Sequence, residues 1–219
     1  MVTVLFLLMS TGLERLEYEI KYGPVVLGSM VMEYQPEKRD AGDTLEHLTA
    51  QIEIDRALSF VFWANYQLES WCRKDDRVTV RSYKRTREKN YRSEWWAEYF
   101  PDHGFVHYSD GYRFPLSDSA RDMLSLWFYL RSLQWGRGDS RVVNAHIDRR
   151  NWRVCFVVTG TQNVRTPLGD FNCLVISPRT NSPLGAVFLS QDRNRVPVVI
   201  RTRIGSFTVS AYLKRIERR

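Results

Sequence analysis

Hydrophobic and polar residues alternate with a period of two over much of the chain. Near the amino terminus, Leu16, Tyr18, Ile20 and Tyr22 alternate with two glutamates and a lysine. This spacing predicts a strand with one buried face. Between residues 151 and 213, segments rich in Val, Ile and Phe are separated by compact turns such as PLGD and QDRNR. Short connections between strands favour antiparallel pairing, so the pattern predicts a β-meander.

The period changes to a helical one between Ser117 and Trp135. Ser117 or Asp118 can cap the start of this helix, and Gly136 and Gly138 can end it. Apolar residues recur on most of its surface, at Ala120, Met123, Leu124, Leu126, Trp127, Phe128, Leu130 and Leu133. We therefore predict one long helix over about 118–135. A helix that is apolar nearly all round should be buried, filling a curved sheet.

The predicted fold class is mainly β, a single-domain curved antiparallel sheet forming a half-barrel or barrel around the buried helix. Nothing in the sequence suggests a linker or internal repeat, so residues 16–219 are predicted to form one β-rich domain. Residues 1–15 contain an eight-residue apolar run, Val2 to Met9, which is too short to span a bilayer. This segment is either an atypical or truncated export signal or a buried first strand. Residues 57–63 fit a short helix or a strand, and no other segment is predicted to be transmembrane.

Charge is distributed unevenly along the chain. The formal net charge is +7, but residues 1–72 carry −6 and residues 73–219 carry +13. Such a basic region can meet nucleic acid, anionic lipid or an acidic partner. The strongest basic run, Arg81 to Arg92, includes Tyr83 and Tyr91, a combination that some single-strand-binding proteins use. A solvated outer strand face explains the run more simply, so nucleic acid is not a predicted partner.

No residue cluster predicts catalysis, a metal or a cofactor. His103 and His107 are separated by residues that predict a turn entering a strand, which places the two rings too far apart to share a metal. Asp122 suits the first turn of the helix, where a negative charge is favourable. Ser125 lacks the glycines of a nucleophile elbow. Arg131 lies in an apolar stretch and requires a partner, for which an acid from the sheet is expected.

The three cysteines form no C-x-x-C pair, and so predict no zinc site. Centring a hairpin on Thr166 to Gly169 places Cys173 opposite residue 162 or 163. Cys155 then lies several positions further from the turn than a disulfide bond allows. Both cysteines are therefore predicted to be buried thiols.

Four segments in order resemble the bacterial family catalogued as domain of unknown function 3108. They are YEIKYGPVVLG from Tyr18, the helix SARDMLSLWFYLRSL, TPLGDFNCLVISP from Thr166 and DRNRVPVVIRTRIGSFTVSAYL from Asp192. The layout is similar to that of exported proteins of the bacterial cell envelope. The resemblance implies a periplasmic or otherwise exported location and no established activity.

We interpret the chain as a non-enzymatic envelope binding protein that holds an apolar or lipid-like ligand on the concave face of the sheet. Two alternatives remain open: an interaction or assembly module of the envelope without a ligand, and an enzyme whose chemistry the sequence does not reveal. A fully packed core would favour the interaction module. The candidate ligand-binding residues are aromatic or apolar side chains on the inner surface and arginines at its rim, namely Tyr18, Ile20, Tyr22, Trp127, Tyr129, Arg131 and Arg201.

Overall fold

The computed structural model describes residues 12–40, 43–54, 63–179, 183–204 and 207–219. The strands in chain order are β1 Glu14–Tyr22, β2 Val25–Asp40, β3 Asp43–Ile54, β4 Ala64–Arg73, β5 Thr79–Glu88, β6 Arg92–Phe100, β7 Phe105–Tyr108, β8 Arg113–Pro115, β9 Ser140–Ile147, β10 Arg150–Thr166, β11 Gly169–Pro178, β12 Ala186–Ser190, β13 Pro197–Ile204 and β14 Phe207–Arg218. The helix α1 spans Met123–Ser132 and lies in the chain between β8 and β9. Residues 1–11, which include most of the predicted export segment or first strand, and residues 55–62, which include most of the ambiguous 57–63 segment, lie outside the described residues.

All the strands named above belong to one curved, unclosed antiparallel sheet. Its order is β8-β7-β6-β5-β4-β3-β2-β1-β14-β13-β12-β11-β10-β9. Strands β1 to β8 form one continuous meander and β9 to β14 another, and the two meanders join where β1 pairs with β14. The mainly β, curved-sheet fold class predicted from the sequence is confirmed.

The register of the sheet agrees with the sequence pattern in two places. In β1, Leu16, Tyr18 and Ile20 are buried and the residues between them are partly exposed. In the β10–β11 hairpin, Cys173 lies opposite Gln162, as the hairpin centre predicted. Residues 36–40 continue β2 as far as Asp40, and the register of the β2–β3 pair shifts between Gln35 and Lys38.

The helix is shorter than the predicted 118–135 and begins after Asp122, not after Ser117 or Asp118. Ser119 has a φ of 52°, a left-handed conformation that a right-handed helix cannot include. The next residue but one, Arg121, pairs with the edge of β9, since its backbone N–H donates to Asn144 and its carbonyl accepts from His146. These peptide groups are therefore committed to the sheet and cannot enter helical hydrogen bonds.

The helix is buried on both sides against the concave surface of the sheet. Leu124 and Phe128 pack into a cluster with residues of β1, β2, β3 and β14. Leu126, Trp127 and Leu130 pack into a second cluster with residues of β9 to β12. The helix thus fills the inside of the curved sheet, as its apolar surface predicted.

Side chains and one connecting segment link the two outer parts of the sheet. His146 of β9 contacts the Tyr108 hydroxyl of β7 through Nε2 at 3.0 Å. Lys84 of β5 forms an ion pair with Asp148, which follows β9, at 2.5 Å. The backbone of Ala120, in the segment before the helix, accepts a hydrogen bond from Thr79 of β5. These contacts hold β5 and β7 near β9, although neither strand pairs with β9 in the sheet.

Candidate functional site

An apolar cavity lies between the helix and the concave face of the sheet. It has a volume of about 140 Å³. The helix contributes Met123, Leu124 and Trp127 to its wall. The sheet contributes mainly aliphatic residues of β1 to β4, β13 and β14, namely Ile20, Met30, Met32, Ala50, Ile52, Ile54, Tyr66, Leu68, Ile200, Thr202, Val209 and Ala211. Pro183 and Leu184, which precede β12, complete the lining.

Two small residues help to create this space. Ala50 of β3 and Ala211 of β14 are buried and face the cavity, and their short side chains leave space there. The indole of Trp127 meets the ring of Phe156 edge-on, with 6.4 Å between ring centroids, which orients it beside the cavity. The result is an apolar chamber with few polar groups that could hold a water molecule.

Two of the seven predicted ligand-binding residues, Ile20 and Trp127, line the cavity. Tyr18 is fully buried beside it and its hydroxyl donates to the Pro197 carbonyl at 2.9 Å, so Tyr18 fills the core and does not line the space. Tyr22 lies at the end of β1 and is 46% exposed. A register shift after Ile20 and the turn at Gly23 end the inward alternation before Tyr22.

The other three predicted residues also lie away from the cavity. Tyr129 packs against the guanidinium of Arg121, 3.6 Å from the ring centroid. Arg201 lies on the convex face, because its neighbours Ile200 and Thr202 face inward, and its guanidinium lies over the Phe188 ring. The rim position predicted for Arg201 is therefore corrected.

Arg131 is bound by an acid from the sheet, as the sequence predicted. Its guanidinium forms an ion pair with Glu14 of β1 and also donates to the Asn194 carbonyl at 3.0 Å. Glu14 accepts a further hydrogen bond from Arg218 of β14. Burial alone would raise the pKa of the Glu14 carboxylate, but the two guanidiniums outweigh burial and hold this pKa below its usual range. Arg131 therefore anchors the end of the helix and does not bind at the cavity.

A second, smaller pocket of about 40 Å³ adjoins the apolar cavity and shares Leu68, Met123 and Leu124 with it. Its wall contains Ser82, whose hydroxyl lies 3.2 Å from that of Tyr99, together with Asp122 and His146. Burial raises the pKa of the Tyr99 phenol well above its usual value and lowers that of His146. At neutral pH both rings are therefore uncharged, which suits a buried structural site.

The helix begins at a buried hydrogen-bond network centred on Asp122. The Asp122 carboxylate accepts from the backbone N–H of Ser125 at 2.8 Å and from its hydroxyl at 2.9 Å. Thr79 of β5 contacts the Ser125 hydroxyl at 2.8 Å and accepts from the Asp122 backbone N–H. Burial raises the pKa of Asp122 above its usual value. The network thus links the start of the helix to β5 and positions the helix.

The outer face of β5 carries Arg81, Tyr83, Arg85 and Arg87, as predicted for the basic run. The register places Arg81 opposite Glu98 and Arg85 opposite Glu94. The Tyr83 hydroxyl donates to Glu94 at 2.9 Å. Acidic residues on β6 thus offset most of the positive charge along the strand.

Among the described residues, no three or more His, Cys, Asp or Glu side chains are placed to hold a metal. Nor does this part of the chain contain a helix of the length and apolarity needed to cross a membrane.

Comparison with known proteins supports the fold but assigns no activity. No curated protein matches the chain. A crystal structure described as "Beta-barrel-like Protein of Domain of Unknown Function DUF1849 from Brucella abortus" is similar, with a TM-score of 0.64 and 12% sequence identity, covering 96% of this chain and 99% of that one. The family model described as "Protein of unknown function (DUF3108)" matches residues 17–213. The chain therefore belongs to the DUF3108 family.

Proposed function

We propose that the protein is a non-enzymatic binding protein of the bacterial cell envelope that holds an apolar ligand, or the apolar end of a lipid-like ligand, between the helix and the sheet. The observation that carries this proposal is the apolar cavity of about 140 Å³ beneath Trp127. The envelope location rests on the resemblance of the sequence to exported proteins.

The size and lining of the cavity define the ligand class. Apolar cavities of roughly 150 Å³ stay dry and bind molecules as small as benzene. Pockets for drug-sized ligands are larger, at roughly 300–1,000 Å³. The cavity therefore suits a small hydrocarbon group or part of an alkyl chain, and a long-chain ligand would extend beyond it toward the protein surface.

Filling the cavity is the direct test. Ala50→Leu places three additional carbon atoms in the space from β3, and Ala211→Leu does so from β14. Ala186→Leu is the matched control, because Ala186 pairs with Arg201 on the face away from the cavity and packs against a separate apolar cluster that includes Phe188. Benzene, octanoate and palmitate serve as probes, with tryptophan fluorescence and thermal unfolding as readouts.

The wild type and Ala186→Leu should bind a probe saturably. At a hundredfold excess over Kd, a probe that binds only the folded state should raise the Tm by roughly 5–11 °C. Ala50→Leu should fold with an unchanged or higher Tm and lose binding, since cavity filling commonly stabilises. Probe binding that persists in both filled variants, or is absent from the wild type, contradicts the proposal.

A further inference from the structure

The turn between β1 and β2 presents an apolar tip to solvent. Tyr22 is 46% exposed, Val25 47% and Val26 50%. Eight large hydrophobic residues are exposed in the described part of the chain, and these three belong to a single hairpin. Scattered exposed apolar residues are normal, but a cluster at one protruding turn indicates a contact surface.

A second turn at the same end of the sheet is basic. Because the strands are antiparallel and consecutive, the β1–β2 and β5–β6 turns lie at the same end. The β5–β6 turn exposes Arg87, Lys89 and Arg92, together with Tyr91, which is 55% exposed. The only carboxylate in this turn belongs to Glu88, which gives the turn a net charge of +2.

The positive charges of this basic turn lie close together, and its one carboxylate is bound elsewhere. Arg87 and Arg92 lie directly opposite each other in the register, and like charges in that arrangement disfavour the hairpin. The Glu88 carboxylate accepts a hydrogen bond from the Tyr66 hydroxyl at 2.6 Å, which directs it toward β4 and away from the turn. The local structure therefore provides no compensation for the paired arginines.

The apolar cavity reaches this same end of the sheet. Ile20 and Ile54, which line it, lie near the ends of β1 and β3 that face the two turns. Pro183, in the connection from β11 to β12, lines the cavity and is also exposed. The apolar turn, the basic turn and the approach to the cavity thus share one end of the protein.

We propose that this end docks on an anionic lipid membrane. The β1–β2 turn inserts Tyr22, Val25 and Val26 at the boundary between headgroups and acyl chains, while Arg87, Lys89 and Arg92 contact anionic headgroups. Tyrosine is favoured at that boundary, and basic residues add to the affinity for an anionic surface. Strands β3 and β4 separate the two turns, so the apolar contact and the basic contact lie side by side at one end of the sheet, as an anionic membrane surface requires.

Vesicle binding tests the apolar turn. The full chain is sedimented with phosphatidylcholine vesicles and with mixed phosphatidylcholine and phosphatidylglycerol vesicles. The double variant Val25→Asp and Val26→Asp should lose at least about tenfold in affinity, because two inserted apolar groups become charged. The control is Leu168→Asp, since Leu168 is 42% exposed at the β10–β11 turn on the opposite end, and this variant should bind as the wild type does.

Charge removal tests the basic turn. Replacing Arg87, Lys89 and Arg92 with Gln should weaken binding to anionic vesicles by about tenfold or more and remove most of its salt dependence. Matching substitutions of two exposed arginines at the opposite end, Arg165→Gln and Arg193→Gln, should change little. Circular dichroism and Tm verify that each variant is folded.

The proposal is overturned if the wild type does not bind anionic vesicles, or if the Val25 and Val26 variant binds them as tightly as Leu168→Asp. The role of membrane docking in the cell rests on the proposed function, but docking itself does not require a ligand in the cavity. The folded Ala50→Leu variant should therefore bind vesicles like the wild type even though it loses small apolar probes. Failure of either proposal is thus recognised separately.

Discussion

The negative charge of the buried Asp122 should lower the free energy of unfolding, whereas the hydrogen bonds of Asp122 to the start of the helix should raise it. Asp122→Asn keeps an oxygen that can accept from the Ser125 backbone N–H, and Asn is as good a helix cap as Asp. Asp122→Ala removes that oxygen. Comparison of the two variants separates the effect of the charge from that of the cap.

The structure gives the magnitude expected for Asp122→Ala. Loss of a helix cap costs about 0.5–2 kcal/mol, and leaving the buried Ser125 N–H without an acceptor costs about 1–3 kcal/mol. These two estimates describe overlapping effects, so the expected loss in the free energy of unfolding is about 2–4 kcal/mol. In a protein of this size each kcal/mol shifts the Tm by roughly 2–4 °C, which predicts a decrease of roughly 4–16 °C.

The sign of the pH dependence follows from the direction of the pKa shift. Burial raises the pKa of Asp122 in the folded protein above the value of about 3.9 that an unfolded chain has. The folded state therefore binds the proton more tightly than the unfolded state. The resulting stabilisation is complete below the unfolded pKa and is lost as the pH rises through the folded pKa.

Thermal unfolding of both variants from pH 4 to pH 8 is the assay. Relative to the wild type, Asp122→Asn should gain stability as the pH rises, since it lacks a buried charge at neutral pH. Asp122→Ala should be less stable throughout. If Asp122→Asn is as unstable as Asp122→Ala at pH 7, or if its difference from the wild type does not change with pH, the reasoning about the buried carboxylate is refuted.

Four further predictions concern an ion pair, two thiols and the cavity wall. Glu14→Gln should lower the free energy of unfolding by about 3 kcal/mol at pH 7, because Arg131 loses its charge partner. Urea unfolding should show that this difference from the wild type vanishes in acid. The wild type loses the same ion pair there, as the pH falls through the lowered pKa of Glu14. Mass spectrometry of the unreduced protein should find no peptide linking Cys155 to Cys173, because Cys173 lies opposite Gln162, seven residues or roughly 20 Å along the strand from Cys155. Burial also raises the pKa of the Cys173 thiol to about 11, so alkylation of Cys173 at pH 8 should be slow. Trp127→Ala should cost about 3–5 kcal/mol in thermal or urea unfolding and, where it still folds, admit larger probes than the wild type.

Local patterns were sufficient to predict the buried face of β1 and the kind of partner that Arg131 binds. The alternation through Leu16, Tyr18 and Ile20 reports which face of β1 is buried, because successive side chains point to opposite sides of a strand. An arginine in an apolar stretch requires a carboxylate, and Glu14 satisfies that requirement. Both inferences depend on neighbouring residues or on a rule that any buried charge must obey.

The start of the helix and the orientation of two site residues were predicted incorrectly. The helix begins late because Arg121 bonds to β9, a contact between distant residues that no local spacing reveals. Tyr22 continues the alternation of β1 but lies where the strand turns away from the core. The outward position of Arg201 was predictable, since the inward Ile200 beside it indicates the opposite face.

The cavity itself could not be predicted from the sequence. Periodicity indicates that Ala50 and Ala211 face inward, but the space left between them depends on the summed volumes of side chains from seven strands or connections and the helix. The position of the exposed turns relative to the cavity likewise depends on the order of the strands in the sheet.

The central pairing of β1 with β14 has a consequence for how the protein folds during synthesis. Glu14 and Arg218 are 204 residues apart in sequence and bind each other across this pair. Contacts between such distant residues carry a large loop-closure cost before they stabilise the sheet, and they slow folding. A ribosome delivers β14 after the other thirteen strands described above, so the growing chain presents an open edge on β1 until β14 has been made. Such edges promote aggregation, and substitutions that weaken β14 should therefore reduce the yield of folded protein more than equally destabilising substitutions in the β6–β7 hairpin.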